Sequence, residues 1–310
     1  MDVPSVATVT RSVGTAPNVA YSGTTMDGPP RDPSPSTPSR APVEGRRRLA
    51  TGLAVGGEIL ITLGVVMALL VVWELWWTDL GGARHQREAV DGLTWTVPAA
   101  VVPLPATSVD TAPIYRVIPA AFQERTKSPP AEPVFPTATT FATLYVPRWG
   151  SDYVRPISEG VGLRTVLDPL GIGHYPGTAE PGGWGNFAIA GHRTTYGKPF
   201  ADIDTLQVGD VVAVRTADNW YVYRVTETHI VRPNFGAAVA PVPGDDSAEP
   251  NGRYITMTSC HPKFSASHRY VVYGVLDYWA PAWAGYPSEV VPPGARTVDG
   301  GYATVEGTVR

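Results

Sequence analysis

Cys260 is the single cysteine of this 310-residue chain, and it ends the run Tyr254-Ile255-Thr256-Met257-Thr258-Ser259-Cys260. A cysteine attacks as its thiolate, so it needs a neighbour that takes or balances the proton. Histidine suits that task because its ordinary pKa lies nearest neutrality. The chain offers His85, His174, His192, His229, His261 and His268. His192 closes the apolar run Phe187-Ala188-Ile189-Ala190-Gly191 and ranks first by spacing, with His174 second. His261 is adjacent to Cys260, and neighbours on a strand point to opposite faces, which weakens its claim. His85 reads as a solvated juxtamembrane residue and His229 as a surface or edge residue of a strand. Arg269 opens Arg269-Tyr270-Val271-Val272-Tyr273, where a guanidinium could donate hydrogen bonds to an oxyanion on an attacked carbonyl. Taken singly, a lone buried cysteine is more often an inert small hydrophobe. The three together favour a thiol nucleophile.

The elements that must position these groups read as short strands. Candidates are 143–146, 186–190, 210–215, 220–225, 228–231, 253–259 and 270–277, rich in β-branched and aromatic residues. Ala217-Asp218-Asn219 is a hairpin turn between two of them, and a helical turn is expected around Gly162 to Leu170. If the strand of Cys260 pairs with that of Arg269 through the intervening loop, the two residues become neighbours. Many short strands at this spacing indicate an all-β sandwich or small barrel, here over residues 140–281.

Composition sets the surroundings. Residues 1–49 are rich in Pro, Ser, Thr, Gly and Ala and read as a disordered tail. Residues 50–78 hold an apolar stretch interrupted by Glu58 and Glu74, with Trp73, Trp76 and Trp77 at its far end. That suits a single membrane-spanning helix with an interfacial aromatic belt. Arg46-Arg47-Arg48 before it predicts a cytoplasmic N-terminus and an extracytoplasmic bulk. A cleavable signal peptide is the weaker reading, because the polar leader is long and no A-x-A site follows. Residues 79–139 are Pro- and Ala-rich and predict an extended stalk; residues 282–310 predict a loosely ordered tail. A free thiol outside the membrane, where cysteines usually pair, marks Cys260 as reactive or intermolecular. The net charge of −4 argues against a nucleic-acid role.

The motifs resemble those of a known family. Thr256-Met257-Thr258-Ser259-Cys260 with Arg269 downstream is similar to the sortase signature T-L-x-T-C, with Met257 for Leu and Ser259 for Thr. Asn186 to Arg193 resembles the sortase segment that supplies the histidine. Cys260-His261-Pro262-Lys263-Phe264-Ser265-Ala266 and Gly173-His174-Tyr175-Pro176-Gly177-Thr178-Ala179 resemble class E sortases of high-GC Gram-positive bacteria. The resemblance implies an eight-stranded sortase β-barrel with short helices, behind one transmembrane helix. It implies a cysteine transpeptidase that cleaves an LAXTG- or LPXTG-type sorting signal between Thr and Gly. Cys260 would form the thioacyl enzyme, His192 would move the proton, and Arg269 with the backbone near Ser259 would hold the oxyanion. The partners implied are secreted proteins bearing sorting signals and an amine of a lipid-linked peptidoglycan precursor. Thr258 and Tyr175 join the candidate substrate-binding residues, and the turn Pro181-Gly182-Gly183-Trp184-Gly185 either lines the groove or simply packs a barrel corner.

Three readings stay open at this point. An L,D-transpeptidase-like enzyme would place Ser-His-Gly before its nucleophile, where this chain has Met257-Thr258-Ser259. An inactive membrane-tethered barrel would bind sorting-signal peptides without cutting them. A pilin-polymerising sortase is a variant of the sortase reading itself. No cofactor and no metal site are expected: Asp202 and Asp204 could hold Ca²⁺ weakly, but loop aspartates usually cap or stay solvated.

Overall fold

The computed structural model describes residues 43–95 and 113–299. The expectations for residues 1–42, for residues 96–112 of the stalk and for residues 300–310 of the tail lie outside them, as do those for the side chains of Arg46, Glu74, Trp76 and Trp77. By contacts the chain divides into two units, residues 1–61 and 62–310. The described part of the first is the beginning of helix α1, Val43–Asp91. Within α1, Arg47–Trp73 is 27 residues of mostly apolar sequence with none of it buried. At 1.5 Å per residue that is about 40 Å, more than the roughly 30 Å of a bilayer's hydrocarbon core. It is one helix that could anchor the protein in a membrane, with the strands following it in sequence.

Among the described residues, the second unit has ten strands. They are β1 Ile114–Val117, β2 Thr140–Tyr145, β3 Val154–Glu159, β4 Ile172–His174, β5 Gly185–Gly191, β6 Val211–Arg215, β7 Asn219–Val231, β8 Arg253–His261, β9 His268–Pro281 and β10 Arg296–Asp299. Eight of them close into a barrel in the order β2-β3-β4-β5-β8-β9-β7-β6, while β1 pairs with β10 in parallel. The all-β barrel with short helical turns is therefore present. The runs 220–225 and 228–231 are one strand, β7, whose register against β9 shifts between Val225 and Glu227. A bulge of this kind adds a residue and bends the strand without ending it. The hairpin at 216–218 joins β6 and β7 as expected. The expected helical turn is a π turn, Leu163–Leu167, running into the short helix α2, Asp168–Leu170.

Alternation explains which faces are buried. On β5, Phe187 and Ile189 point inward; on β8, Ile255 and Met257 do; on β7, Tyr221, Tyr223 and Val225 do. These pack with Leu144, Ile157, Ile172, Phe200, Val212 and Val214 into the barrel interior. The alternate residues of β7, Trp220 and Val222, are also apolar and point out of the barrel. They must be covered, and the cover comes from residues at both ends of the domain: Ile118, Ala284 and Val290, with Tyr286 against them.

Two sequence expectations are corrected here. The segment after residue 78 is not an extended stalk throughout, because α1 continues to Asp91. The tail after Pro281 is ordered through residue 299: Ala284 and Val290 are buried, and Trp220 Nε1 donates to Gly285 O at 3.0 Å. The physical reason in the second case is the apolar outer face of β7, which a water-exposed tail would leave uncovered.

Candidate active site

Three neighbouring strands carry the three chemical groups. β5 runs parallel to β8 with Ala190 opposite Thr258, so the same offset carried two residues on sets His192 beside Cys260. β8 runs antiparallel to β9 with Cys260 directly opposite Arg269. Adjacent strands lie about 4.8 Å apart. Since Ile255 and Met257 face the interior, Thr256, Thr258 and Cys260 face outward; the same parity puts His192 outward from β5 and Arg269 outward from β9. The order across the outer face is therefore histidine, cysteine, arginine, with the thiol in the middle.

Hydrogen bonds fix the strand ends on which this depends. Ser259 points inward, and its Oγ donates to Gly191 O at 2.8 Å, tying the two strands at the level of the pair. Phe200 N donates to His192 O at 2.9 Å, which closes the loop behind the histidine. The Phe200 ring lies so close under Gly191 that a Cβ there would sit 2.8 Å from it. The imidazole is held from two sides: Nε2 contacts Asp168 Oδ1 at 2.8 Å, and the ring lies 5.2 Å from that of Tyr196. Asp168 opens α2, so the helical turn before β4 orients the histidine. Cys260 is free and partly exposed, as a nucleophile must be to meet a peptide.

Arg269 is half-buried, and its Nη1 donates to Ala266 O and His268 O, both at 3.0 Å. The backbone of the turn between β8 and β9 thus holds the guanidinium at the mouth of the site. Two residues before Cys260 on the same face lies Thr258, whose Oγ1 shares a 3.0 Å hydrogen bond with Tyr175 OH. Beyond it Thr256 Oγ1 donates to Asn186 Oδ1, and Asn186 Nδ2 donates to Ala240 O, at 2.9 and 2.8 Å. The short turn Gly236–Val239 packs Ala238 on Val271 and Tyr273 of β9, on the same outer face. These buried hydroxyl and amide bonds brace the strand that carries Cys260 beneath the outer face.

Arg193 escaped the sequence reading. It is 3% exposed and turned to the face opposite His192. Its Nη2 pairs with Asp204 at 2.6 Å, its Nη1 donates to His261 Nδ1 at 2.9 Å and to Cys260 O at 3.4 Å, and it lies over the Tyr270 ring. A charged fork tying the carbonyl of Cys260 fixes the backbone that carries the thiol. Its sequence signal was adjacency to His192 on an apolar strand, where parity forces one of the pair inward.

His174, ranked second as a partner for the thiol, is not at the site. It shares the face of Ile172 inside the barrel, is 1% exposed, and its Nδ1 contacts Glu159 at 2.6 Å. His229 contacts Glu227 on the outer part of β7, and His261 is turned away from Cys260 toward Arg193. The turn 181–185 precedes β5, at the strand end remote from His192: Gly182 N donates to Tyr223 OH and Trp184 stacks with Arg253. It closes the barrel end and does not line the groove. Asp202 and Asp204, considered for Ca²⁺, are engaged by Lys263 and Arg193.

Among the described residues, Glu159, His174 and Glu180 bring one possible metal-ligand atom each within 4.8 Å of the others. His174 is already committed there, with Nδ1 on Glu159 and Nε2 within reach of Thr178 Oγ1 and Ala179 O. Burial, then the charges of Glu159 and Glu132, push the Glu180 carboxyl up to about 7.

Comparison with known proteins agrees with this geometry. The family described as "Sortase domain" matches residues 144–277. Sortase SrtE1 of Streptomyces coelicolor is 32% identical over 243 residues, 76% of this chain and 60% of its own length. This chain thus spans less than two thirds of that relative. Sortase SrtE2 of the same organism is 29% identical over 75% of this chain and 86% of its own length. The solved SrtA sortase from Actinomyces oris is 39% identical, with a TM-score of 0.52 over 58% of this chain and 99% of its own.

Proposed function

This chain belongs to the sortase family, in its class E branch, and we propose that it is a membrane-anchored cysteine transpeptidase working through Cys260, His192 and Arg269. The observation that carries the reading is the placement of His192, Cys260 and Arg269 on one outer face of β5, β8 and β9. Cys260 Sγ attacks the Thr carbonyl of a sorting signal, and a tetrahedral oxyanion forms. Arg269 and the backbone N–H groups beside Ser259 hold that oxyanion. Collapse breaks the Thr–Gly bond, and His192 gives the departing amine its proton, leaving a thioacyl enzyme. An incoming amine then loses a proton to His192, attacks the thioester and releases the thiol. Asp168 keeps the imidazole oriented through both steps.

The acceptor is an amine of a peptidoglycan precursor, and the substrates are secreted proteins ending in an LAXTG- or LPXTG-type signal. Tyr175 and Thr258 line the approach and contact the residues before the scissile bond. The N-terminus faces the cytoplasm, as Arg46 to Arg48 before the apolar helix favours. The test is transfer of a labelled LAXTG or LPXTG peptide to an amine by the full chain in detergent. Product from the wild type, with loss of at least a hundredfold in Cys260→Ala, His192→Ala and Arg269→Ala, is the expected result. Turnover that survives Cys260→Ala would reject the nucleophile. Peptide binding without any turnover in the wild type would favour a binding barrel instead.

A further inference from the structure

We propose that Gln86, on the part of α1 that follows the candidate membrane span, is a positioning residue for His192. Gln86 is 2% exposed, and its Nε2 donates to Tyr196 O at 2.8 Å. Its side chain is wedged between two glycines: a Cβ on Gly171 would lie 2.6 Å from Gln86 Cδ, and one on Gly197 would lie 2.6 Å from Gln86 Nε2. Gly171 directly follows α2, whose Asp168 holds His192 Nε2. Gly197 directly follows Tyr196, whose ring lies against the His192 ring. One side chain therefore touches both of the segments that touch the imidazole.

The loop it holds is not relaxed by itself. Tyr196, Gly197 and Lys198 are consecutive residues with φ of 53°, 72° and 34°, the left-handed region that side chains disfavour. Such backbone persists where its surroundings determine it. Those surroundings are α1: Gly82 packs so closely that a Cβ there would lie 2.4 Å from Tyr196 C, and Asp79 pairs with Lys198 at 2.5 Å. Gln86 Oε1 is buried with no hydrogen-bond partner. An apolar side chain would fill the same space without that penalty, so the amide's distinguishing contribution is its bond to the loop. All of these contacts come from outside the matched domain of residues 144–277. The helix that leaves the membrane segment thus completes the histidine's support, about 20 Å along its axis from Trp73.

The experiment uses the full chain in lipid nanodiscs with Gln86→Met, which keeps shape and reach but removes the donor, and Gln86→Leu. His85→Ala, an exposed neighbour on the same helix, is the control. Peptide transfer should show kcat lowered about tenfold and KM within twofold for both Gln86 variants. In the absence of peptide, iodoacetamide should alkylate Cys260 several-fold more slowly at pH 7, moving toward the rate of His192→Ala, while His85→Ala matches the wild type. Kinetics as in the wild type in Gln86→Met, whether or not its melting temperature falls, would reduce Gln86 to a fastener and overturn the proposal. The kinetic arm rests on the transpeptidase reading, whereas the alkylation arm does not. A wild type without transfer activity would therefore sink that reading while still testing this one.

Discussion

Replacing Glu180 by Gln should make the protein more stable at pH 8 and leave it nearly unchanged at pH 4.5. Burial, with Glu159 and Glu132 adding to it, lifts the Glu180 carboxyl from its ordinary 4.5 to about 7. Below pH 4.5 the group is protonated whether the chain is folded or not, so it has no pH-linked effect there. Between 4.5 and 7 the unfolded chain releases a proton that the folded one retains, so stability falls as pH rises. That gap of 2.5 pH units corresponds to about 3.4 kcal/mol. Glu180 is only partly buried, and solvent screening reduces the effect to about 1–2 kcal/mol. Glutamine keeps the shape and carries no charge, so Glu180→Gln removes the fall. For a domain of this size the gain at pH 8 corresponds to about 3–6 °C in melting temperature. Near-UV circular dichroism of the full chain in detergent, scanned at pH 4.5, 6 and 8, measures it. A difference between variant and wild type that stays constant across the three pH values would refute the reasoning.

Two other perturbations probe the site's supports. Tyr175→Phe and Thr258→Val each remove the 3.0 Å hydrogen bond on the groove floor, so each should raise KM for the signal peptide. The double variant should show a coupling of about 0.5–1.5 kcal/mol in kcat/KM, and full additivity would mean the bond does not act in substrate binding. Arg193→Ala leaves Asp204, His261 and the carbonyl of Cys260 without their shared donor, and urea unfolding should report a loss of about 2–3 kcal/mol. Arg193→Lys should recover less than half, because an ammonium cannot serve three acceptors from one fork; full recovery would reduce Arg193 to a simple charge partner.

What the sequence made legible was governed by alternation. The apolar runs of β5, β6, β7, β8 and β9 announce themselves because β-branched and aromatic residues repeat on one face. The pairing of Cys260 with Arg269 then follows from a short loop between two such runs. β3 and β4 did not announce themselves. Val154-Arg155-Pro156-Ile157-Ser158-Glu159 carries a proline and three polar or charged positions, and β4 is three residues with a glycine at its centre. His174 was misranked for the same reason: with β4 unseen, nothing showed that it shares the inward face of Ile172.

The helix beyond the membrane segment was hidden because residues 79–139 were read as one Pro- and Ala-rich stretch, although the prolines of that stretch begin only at Pro98. Gly82 within the helix is a close-packing position, where the backbone of Tyr196 leaves no room for a side chain. The ordered segment after Pro281 was hidden by its prolines and glycines. Its reason for order lies in another strand, where Trp220 and Val222 present an apolar outer face that local sequence at 282–299 does not mention.

The central claim is that Cys260, set between His192 and Arg269, takes the acyl group of a sorting signal. Intact-mass spectrometry of the full chain after mixing with LAXTG or LPXTG peptide, without an amine acceptor, tests it most directly. The predicted result is a single added mass equal to the peptide truncated after Thr, mapped to Cys260, absent in Cys260→Ala and discharged when an amine is supplied. A folded, exposed Cys260 that gains no mass with either peptide would contradict it.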